Sequence, residues 1–378
     1  MIYLDNAATS FPRPEEVYRE MDRVNRSLSV NAGRGSYKAA KQAAAIIQKT
    51  KEQIADLFQC KGQADVVFTA SVTQAFNQIL NGLDIEENTE VYLTVYEHNA
   101  VARTMEAIKK KTGCHVNLIP IDANTLEIDL EKVNYLFHER KPDIVISTVI
   151  SNVTGYRLPV EALFKLAKEH GAITIADAAQ AAGLIELNFE RLNADILGFA
   201  GHKTLCGPFG VGGFIIRRGI VLKAVFTGGT GSDSLNLSMP EHGSERYEAG
   251  SENIVAIAGL SSALEWINNH KHEEHIQHLT EYLIKRLSKN SNVTVFKMKK
   301  PEEQIGIVSF VVEGYESGDV GQILDEEYDI AVRTGYHCAP YIHEYLNDQT
   351  YGGTVRVGIG PFNSEEEIDV LIEAIDSL

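Results

Sequence analysis

Lys203 lies in Phe199-Ala200-Gly201-His202-Lys203-Thr204-Leu205-Cys206-Gly207-Pro208-Phe209-Gly210, 26 residues after Asp177 of Ile175-Ala176-Asp177-Ala178-Ala179-Gln180. A carboxylate that ends an apolar strand, followed by a lysine in a glycine-rich loop, suits pyridoxal phosphate chemistry. The lysine amine forms a Schiff base with the cofactor aldehyde, and the carboxylate pairs with the protonated pyridine nitrogen. A buried carboxylate is costly without a cation, and the pyridinium would be that cation. On its own Asp177 reads more simply as a helix N-cap, because Ala-Ala-Gln follows it. Lys203 and Gln180 turn the balance, since Gln180 stands three residues on, placed to donate to the phenolate oxygen of the cofactor. Gly201 and Gly207-Pro208 supply tight-turn chemistry on both sides of Lys203, which a solvated surface lysine does not need. Desolvation there would lower the lysine pKa and favour the reactive neutral amine.

Two weaker signals accompany this pair. Thr69-Ala70-Ser71-Val72-Thr73 separates a strand pattern from a helix pattern. Small and hydroxyl residues at a helix start can present free N–H groups and hydroxyls to a phosphate, although Ser71 or Thr73 can equally be ordinary caps. His98, in Tyr96-Glu97-His98-Asn99, begins the next helix pattern. A histidine here can stack on a pyridine ring and shuttle protons, while a lone histidine is more often a satisfied structural group.

The elements that must carry these residues are legible as an alternation. Val66–Thr69, Val91–Val95, Asp143–Val149, Ile173–Ala176 and Ile196–Phe199 read as strands. Thr73–Leu80, Asn99–Lys111 and Val160–His170 read as helices, the last started by Pro159 and stopped by Gly171. Short apolar strands alternating with helices predict a mainly parallel sheet covered on both faces. Ligands collect beyond the carboxyl ends of such strands. Ser71 and Thr73, His98, Asn152, Asp177 and His202-Lys203 all fall there. Gly/Ser-rich stretches at Thr227–Ser234 and Gly243–Ser251 break the alternation. A helix over Ile254–Asn269 follows, suited to bridging two domains. The remainder reads as a smaller α+β domain: Asn292–Phe296, Gly306–Val312, Val320–Glu326, Val355–Gly358 and a final helix from Glu365.

Composition sets the outer bounds. A chain of 378 residues predicts two domains and a sizeable core. A net charge of -17, with no basic run to offset it, argues against nucleic acid or an anionic membrane as partner. Asp5 and Pro12 interrupt any early apolar run, so no secretory signal is read. Ala172–Ile185, the most apolar stretch, is too short to span a bilayer. Cys60, Cys114, Cys206 and Cys338 lack CxxC spacing. No disulfide framework or zinc site is expected, and no metal, which favours a reduced cytoplasmic protein.

Assembled in order, the residues resemble the fold-type I pyridoxal phosphate enzymes, within them the class V aminotransferase superfamily and its cysteine desulfurase / selenocysteine lyase branch. The resemblance runs from Tyr3-Leu4-Asp5-Asn6-Ala7-Ala8-Thr9 through Glu97-His98-Asn99, Ser151-Asn152-Val153-Thr154-Gly155, Asp177-Ala178-Ala179-Gln180 and Gly201-His202-Lys203. It continues through Tyr247-Glu248-Ala249-Gly250-Ser251-Glu252-Asn253 to Arg333-Thr334-Gly335-Tyr336-His337-Cys338-Ala339-Pro340. It implies an α/β fold with a mainly parallel seven-stranded sheet in a large domain (15–253), a small C-terminal α+β domain (254–378) carrying Cys338, and an N-terminal segment (1–14) packed on the small domain.

The resemblance also implies roles. Lys203 is the Schiff-base lysine, Asp177 the pyridinium partner and Gln180 the partner of the phenolic oxygen. His98 stacks on the ring, and Asn152 contacts cofactor or substrate. Val72, Thr73 and His202 hold the phosphate, and Ser251 reaches the phosphate of a neighbouring subunit, which makes a homodimer with shared sites. Arg356 clamps the substrate carboxylate, a task for which a bidentate guanidinium is better suited than an ammonium. Arg34 falls in the N-terminal active-site segment.

Cys338 distinguishes this branch from plain transaminases. Its thiolate takes sulfur from L-cysteine, or selenium from L-selenocysteine, leaving L-alanine and a persulfide or selenide. Arg333 and His337 are candidates for the positive or hydrogen-bonding setting a thiolate needs. The compact Arg-x-Gly-x-His-Cys-Ala form resembles the group with a short, ordered cysteine loop. Ala200, where many relatives carry Ser, implies one phosphate contact fewer; Gly33, where many carry His, and Asn99 bear on substrate choice, and Ser251 replaces the more frequent Thr. The competing reaction is another class V chemistry, transamination or a kynureninase-like cleavage, which leaves Cys338 without a role. A sulfur or selenium acceptor protein is a possible further partner.

Overall fold

The computed structural model describes residues 1–32, 35–231 and 235–378. In chain order the strands are β1 (Ile2–Tyr3), β2 (Ala64–Thr69), β3 (Glu90–Leu93), β4 (His115–Leu118), β5 (Ile144–Thr148), β6 (Ile173–Asp177), β7 (Ile196–Ala200), β8 (Gly212–Arg217), β9 (Val293–Phe296), β10 (Ile307–Val312), β11 (Ile330–Ala331), β12 (Arg333–Gly335) and β13 (Thr354–Gly358). The helices are α1 (Glu15–Ser27), α2 (Lys38–Leu57), α3 (Val72–Gly82), α4 (Asn99–Thr112), α5 (Leu130–Glu139), α6 (Val160–Glu169), α7 (Ile254–Asn269), α8 (Glu273–Leu287), α9 (Ser317–Tyr328), α10 (His343–Leu346) and α11 (Glu365–Asp376).

The larger sheet has seven strands in the order β2-β8-β7-β6-β5-β3-β4. The run from β7 through β4 is parallel, while β8 is antiparallel to both of its neighbours. Every position of β5 and β7 is buried, as strands covered on both faces require. Alternate residues feed two cores. Ile144, Ile146, Ile175 and Ile196 pack with Phe76, Ile79, Val101 and Met105 of α3 and α4. Val145, Ala176 and Leu197 pack with Ile54, Phe164 and Leu260 of α2, α6 and α7.

The parallel register brings the carboxyl ends of β2, β3, β5, β6 and β7 to one edge. The chain leaves those ends at Ser71, His98, Asn152, Asp177 and His202-Lys203, so the α/β architecture and the clustering expected from it are both observed.

The smaller sheet is antiparallel, in the order β12-β13-β10-β9. Its register sets Arg356 of β13 opposite both Arg333 of β12 and Ser309 of β10. The N-terminal segment links the two sheets. β1 pairs in parallel with β11, and the Asn6 N–H donates to the Gly358 carbonyl at 3.1 Å. A few residues on, the Ser10 N–H and the Thr9 hydroxyl donate to the His202 carbonyl at 2.9 and 3.0 Å. Helix α7 packs along α1 and α2. Among the described residues no helix is long and apolar enough to cross a membrane.

Candidate active site

Asp177 is the last residue of β6 and is only 3% exposed. Its Oδ1 accepts the Ala179 N–H at 2.9 Å, an Asx-type turn contact; no helix lies between β6 and β7, so Asp177 is not the helix N-cap of the simpler reading. Burial raises its pKa, against the pull of that N–H and of the Lys203 charge. Lys203 follows β7 in a turn closed by the Cys206 N–H on the Lys203 carbonyl at 2.8 Å. Burial brings the Lys203 amine down to about 8; Asp177 opposes the shift, and Arg356 and Arg333 reinforce it. The turn depends on Gly201. A Cβ there would stand 2.6 Å from the Val211 carbonyl oxygen, inside the hydrogen bond that the Gly201 N–H makes to the same oxygen at 3.1 Å.

Around this pair the polar groups are neutral or spent in defined ways. His98 caps α4, with Nδ1 accepting the Ala100 N–H at 3.0 Å. Its ring is therefore the Nε2–H tautomer, and burial with the charges of Lys203, Arg333, Arg356 and Arg103 holds its pKa near about 3. Gln180 donates its amide to the Ala7 carbonyl at 2.8 Å. Both residues line, with Lys203, a small cavity of about 30 Å³, room for about one water. His202 stacks on Phe209 with ring centroids 4.7 Å apart, and its Nδ1 is buried without a partner among the described residues. Its imidazole is neutral, held near about 4 by burial, Lys203 and Arg13. At the start of α3, Ser71 Oγ accepts the Gln74 N–H at 3.2 Å. The Val72 and Thr73 amides lie in the first turn, whose N–H groups have no intrahelical acceptor.

Arg356 is 1% exposed. Its Nη2 donates to Asp5 Oδ1 at 2.7 Å and its Nη1 to the Asn152 carbonyl at 2.9 Å, while Nε is buried with no partner among the described residues. The Asn152 side-chain amide is turned the other way and donates to the His337 carbonyl at 2.7 Å.

Cys338 is the half-buried member of the four cysteines; Cys60, Cys114 and Cys206 are buried. It is flanked by two open clefts. One, of about 550 Å³, is lined by Thr73, His98, Asn99 and Arg103. The other, of about 700 Å³, is lined by Tyr336, Tyr341 and Glu344. Arg333 Nη2 donates to Cys338 Sγ at 3.3 Å. His337 does not share in this setting. Its ring turns into β13, with Nε2 2.8 Å from Thr354 Oγ1, and burial keeps it neutral with a pKa near about 2. His337 and Cys338 have φ of 44° and 57°, a left-handed pair without glycine that costs roughly 1–2 kcal/mol per residue unless surrounding bonds hold it.

Ser251 lies apart from Lys203. It is exposed, accepts from Asn31 Nδ2 at 3.1 Å, and lines a cleft with Thr69, Gln74 and Gly210. Arg34 and Gly33 fall outside the described residues. Sequence reasoning gave no role to Glu97, which is fully buried beside His98. It accepts from Thr94 Oγ1 at 2.6 Å and from the Thr148 N–H at 2.7 Å, tying the β3 exit to β5. Burial raises its pKa to about 8, with Asp177 adding to the rise. Asp5, the partner of Arg356, was likewise passed over. Both stand inside motifs that were singled out for their neighbours. Among the described residues no group of His, Cys, Asp and Glu could hold a metal ion.

A family model for class-V aminotransferases matches residues 2–371, and the chain belongs to that family. It is similar to a probable cysteine desulfurase of Streptomyces coelicolor, 28% identical over 100% of this chain and 91% of the relative. It is also similar to a cysteine desulfurase of Haloferax volcanii, 28% identical over 100% of this chain and 89% of the relative. Among solved structures, an apo cysteine desulfurase from Thermococcus onnurineus NA1 matches with a TM-score of 0.92 and 29% identity, covering 100% of this chain and 95% of the other. The cysteine desulfurase CsdA (S-sulfonic acid) from Escherichia coli matches with a TM-score of 0.86 and 25% identity, covering 99% and 94%.

Proposed function

We propose that the protein is a pyridoxal phosphate-dependent cysteine desulfurase that converts L-cysteine to L-alanine and leaves the sulfur as a persulfide on Cys338. The observation that carries this reading is the Arg333 guanidinium 3.3 Å from Cys338 Sγ, in a site where Arg356 and Arg333 also act on the charge of Lys203. A transaminase needs the lysine and the arginine but has no use for a thiol placed on a cation.

The residues present fit the cofactor. Asp177 is a buried carboxylate whose cationic neighbour is Lys203, and His202 Nδ1 is buried without a hydrogen-bond partner among the described residues. The Val72 and Thr73 amides with His202 would hold the phosphate, Asp177 the ring nitrogen, Gln180 the phenolic oxygen, and His98 would lie against the ring face. When bound, the cofactor supplies an electron sink that makes the substrate α-proton removable. Lys203, with its amine near about 8, is poised to anchor the aldehyde and then to carry the α-proton. Arg356 offers its guanidinium to the substrate carboxylate, with Asp5 fixing its orientation from behind. Cys338, with Arg333 Nη2 donating to its Sγ, acts as the nucleophile. Its Sγ forms an S–S bond as the substrate C–S bond breaks, and the substrate carbon is reprotonated to alanine. The enzyme thiol and cysteine together balance one persulfide and one alanine. We further propose a homodimer in which Ser251 of one subunit serves the site of the other.

Turnover of L-cysteine and L-selenocysteine, side by side, tests the reading. Alanine appears with sulfide in the presence of a reductant, and Cys338→Ala abolishes the cysteine reaction while leaving the visible absorbance of the bound cofactor. Full-rate cysteine turnover by Cys338→Ala, or a keto acid as product, would overturn it. A selenocysteine rate that exceeds the cysteine rate and survives Cys338→Ala would make selenocysteine the substrate instead.

A further inference from the structure

We propose that His343 and Asp348, neither of which touches substrate or cofactor, form a positioning pair that fixes the Cys338 loop for its reaction. Three successive carbonyls of that loop are each held by a donor from a different element. The Cys338 carbonyl accepts the Asn99 N–H at 2.7 Å, and the His337 carbonyl accepts Asn152 Nδ2 at 2.7 Å. The Tyr336 carbonyl accepts His343 Nε2–H at 3.0 Å, together with the Ala339 N–H at 3.0 Å. Asn99 begins α4 and Asn152 lies beyond the end of β5, so two of the donors come from segments that leave the large sheet. The third comes from α10, just past the loop itself, and it would be adjustable on a short helix without a second anchor.

Asp348 is that anchor. His343 is 3% exposed and Asp348 is fully buried. His343 Nδ1 bonds Asp348 Oδ2, and Asp348 makes no other side-chain hydrogen bond among the described residues. A carbonyl can only accept, so Nε2 must carry a proton. Nδ1 and the carboxylate then share the other proton between them. The pair is thus oriented by its own bookkeeping, because a ring flip would set a carbon against the carboxylate. The Asp348 main chain is tied in turn, its carbonyl accepting the Tyr351 and Gly353 N–H groups at 3.0 and 3.1 Å. These lead directly into β13, the strand that carries Arg356. The pair therefore refers the position of Cys338 to the strand that holds the proposed carboxylate clamp. The left-handed φ values of His337 and Cys338 explain what the clamp opposes: released, this segment has other conformations open to it.

The mechanistic half of the inference rests on Cys338 being the sulfur acceptor; the conformational half does not. The test uses the full-length, cofactor-loaded protein. His343→Phe/Asp348→Leu replaces both buried partners together, so that no carboxylate is left unpaired. It is expected to speed amide exchange across 336–339 at least tenfold and to lower kcat for L-cysteine at least tenfold, with the cofactor spectrum and KM nearly unchanged. Asp348→Asn, whose amide can donate to Nδ1 and so preserves Nε2–H for the Tyr336 carbonyl, is expected to restore slow exchange and most of kcat. A Cys338→Ala background separates positioning from general damage. There the double substitution should not slow the remaining substrate-induced spectral change. Exchange and kcat both within twofold of the parent would overturn the proposal, as would an equal loss in the Cys338→Ala background. Should Cys338→Ala itself retain full turnover, the desulfurase reading fails, and the exchange measurement still decides whether the pair holds the loop.

Discussion

A lysine with an ordinary pKa near 10.5 is neutral in only about one molecule in 3,000 at pH 7, whereas one near about 8 is neutral in about one in ten. The difference is set by burial in the turn after β7, aided by Arg356 and Arg333 and opposed by Asp177. Because the shift is downward for a base, the reactive neutral amine reaches half its population at about pH 8 and is nearly complete one unit higher. Capture of pyridoxal phosphate by the apo protein should therefore quicken about tenfold per pH unit below about 8 and then level off. Stopped-flow absorbance over a range of pH reads this directly, and a rate still climbing at pH 10 would mark Lys203 as an ordinary solvated lysine. His98, His202 and His337 are shifted the same way by burial and nearby cations. Three neutral imidazoles leave the arginines and Lys203 as the cationic groups around Cys338 and Asp177.

Those shifts exist because elements place the residues, and the turn after β7 is the tightest case. Gly201→Ala would bring a methyl to 2.6 Å from the Val211 carbonyl, and backbone cannot yield as a side-chain tip can. Overpacking of this kind costs roughly 1–3 kcal/mol. Calorimetry should register that loss, and cofactor affinity should fall more than tenfold because Lys203 lies two residues on; an unchanged affinity would show that the turn does not set the lysine. The glycine and the lysine were both legible in the sequence, as were β2, β3, β5, β6 and β7, whose apolar runs are bounded by turn residues. Other elements were not. β4 (His-Val-Asn-Leu) is an edge strand with no fully buried position, so it carries no apolar run to read. β8 is apolar enough, but it follows a glycine-rich loop, and its reversed direction is a matter of tertiary pairing that composition does not encode. α1 is strongly charged and buries only Val17 and Val24. The α7 segment, read as a bridge between domains, is recognisable as a helix, yet its packing on α1 and α2 depends on helices the pattern did not reveal. The same limit applies within the site. Lys203, Asp177 and Cys338 stand out by type and setting, while Glu97, Asp5, His343 and Asp348 acquire meaning only from partners brought to them by folding.

At the scale of the whole molecule, two apolar cores lie on opposite faces of one sheet, and a chain of net charge -17 surrounds them. Such a charge opposes casual self-association, which makes the apolar residues left on the surface more informative. Leu235 and Leu237 are fully exposed at 97% and 103%, and Phe226 and Phe209 are 45% and 60% exposed. Of these, Phe226 lines a cleft with Gly229 and Ser251, which opens at Thr69 and Ala70, just before the α3 start where a phosphate is proposed to bind. An exposed aromatic side chain lining such a cleft suits a contact surface. Its place beside the proposed phosphate end of the site accords with a second copy supplying Ser251 there. Light scattering after size-exclusion chromatography should give a dimer of about twice 41.7 kDa. Leu235→Glu/Leu237→Glu should shift it toward monomer if these leucines lie in the contact, because a pair of copies would then bring four added carboxylates together on chains that each already carry a net charge of -17. If the site is shared, cofactor retention falls in proportion to the monomer fraction and recovers at high protein concentration, since mass action restores the dimer. A monomeric variant that keeps its cofactor and full turnover would show instead that each chain completes its own site and that Ser251 serves no neighbour.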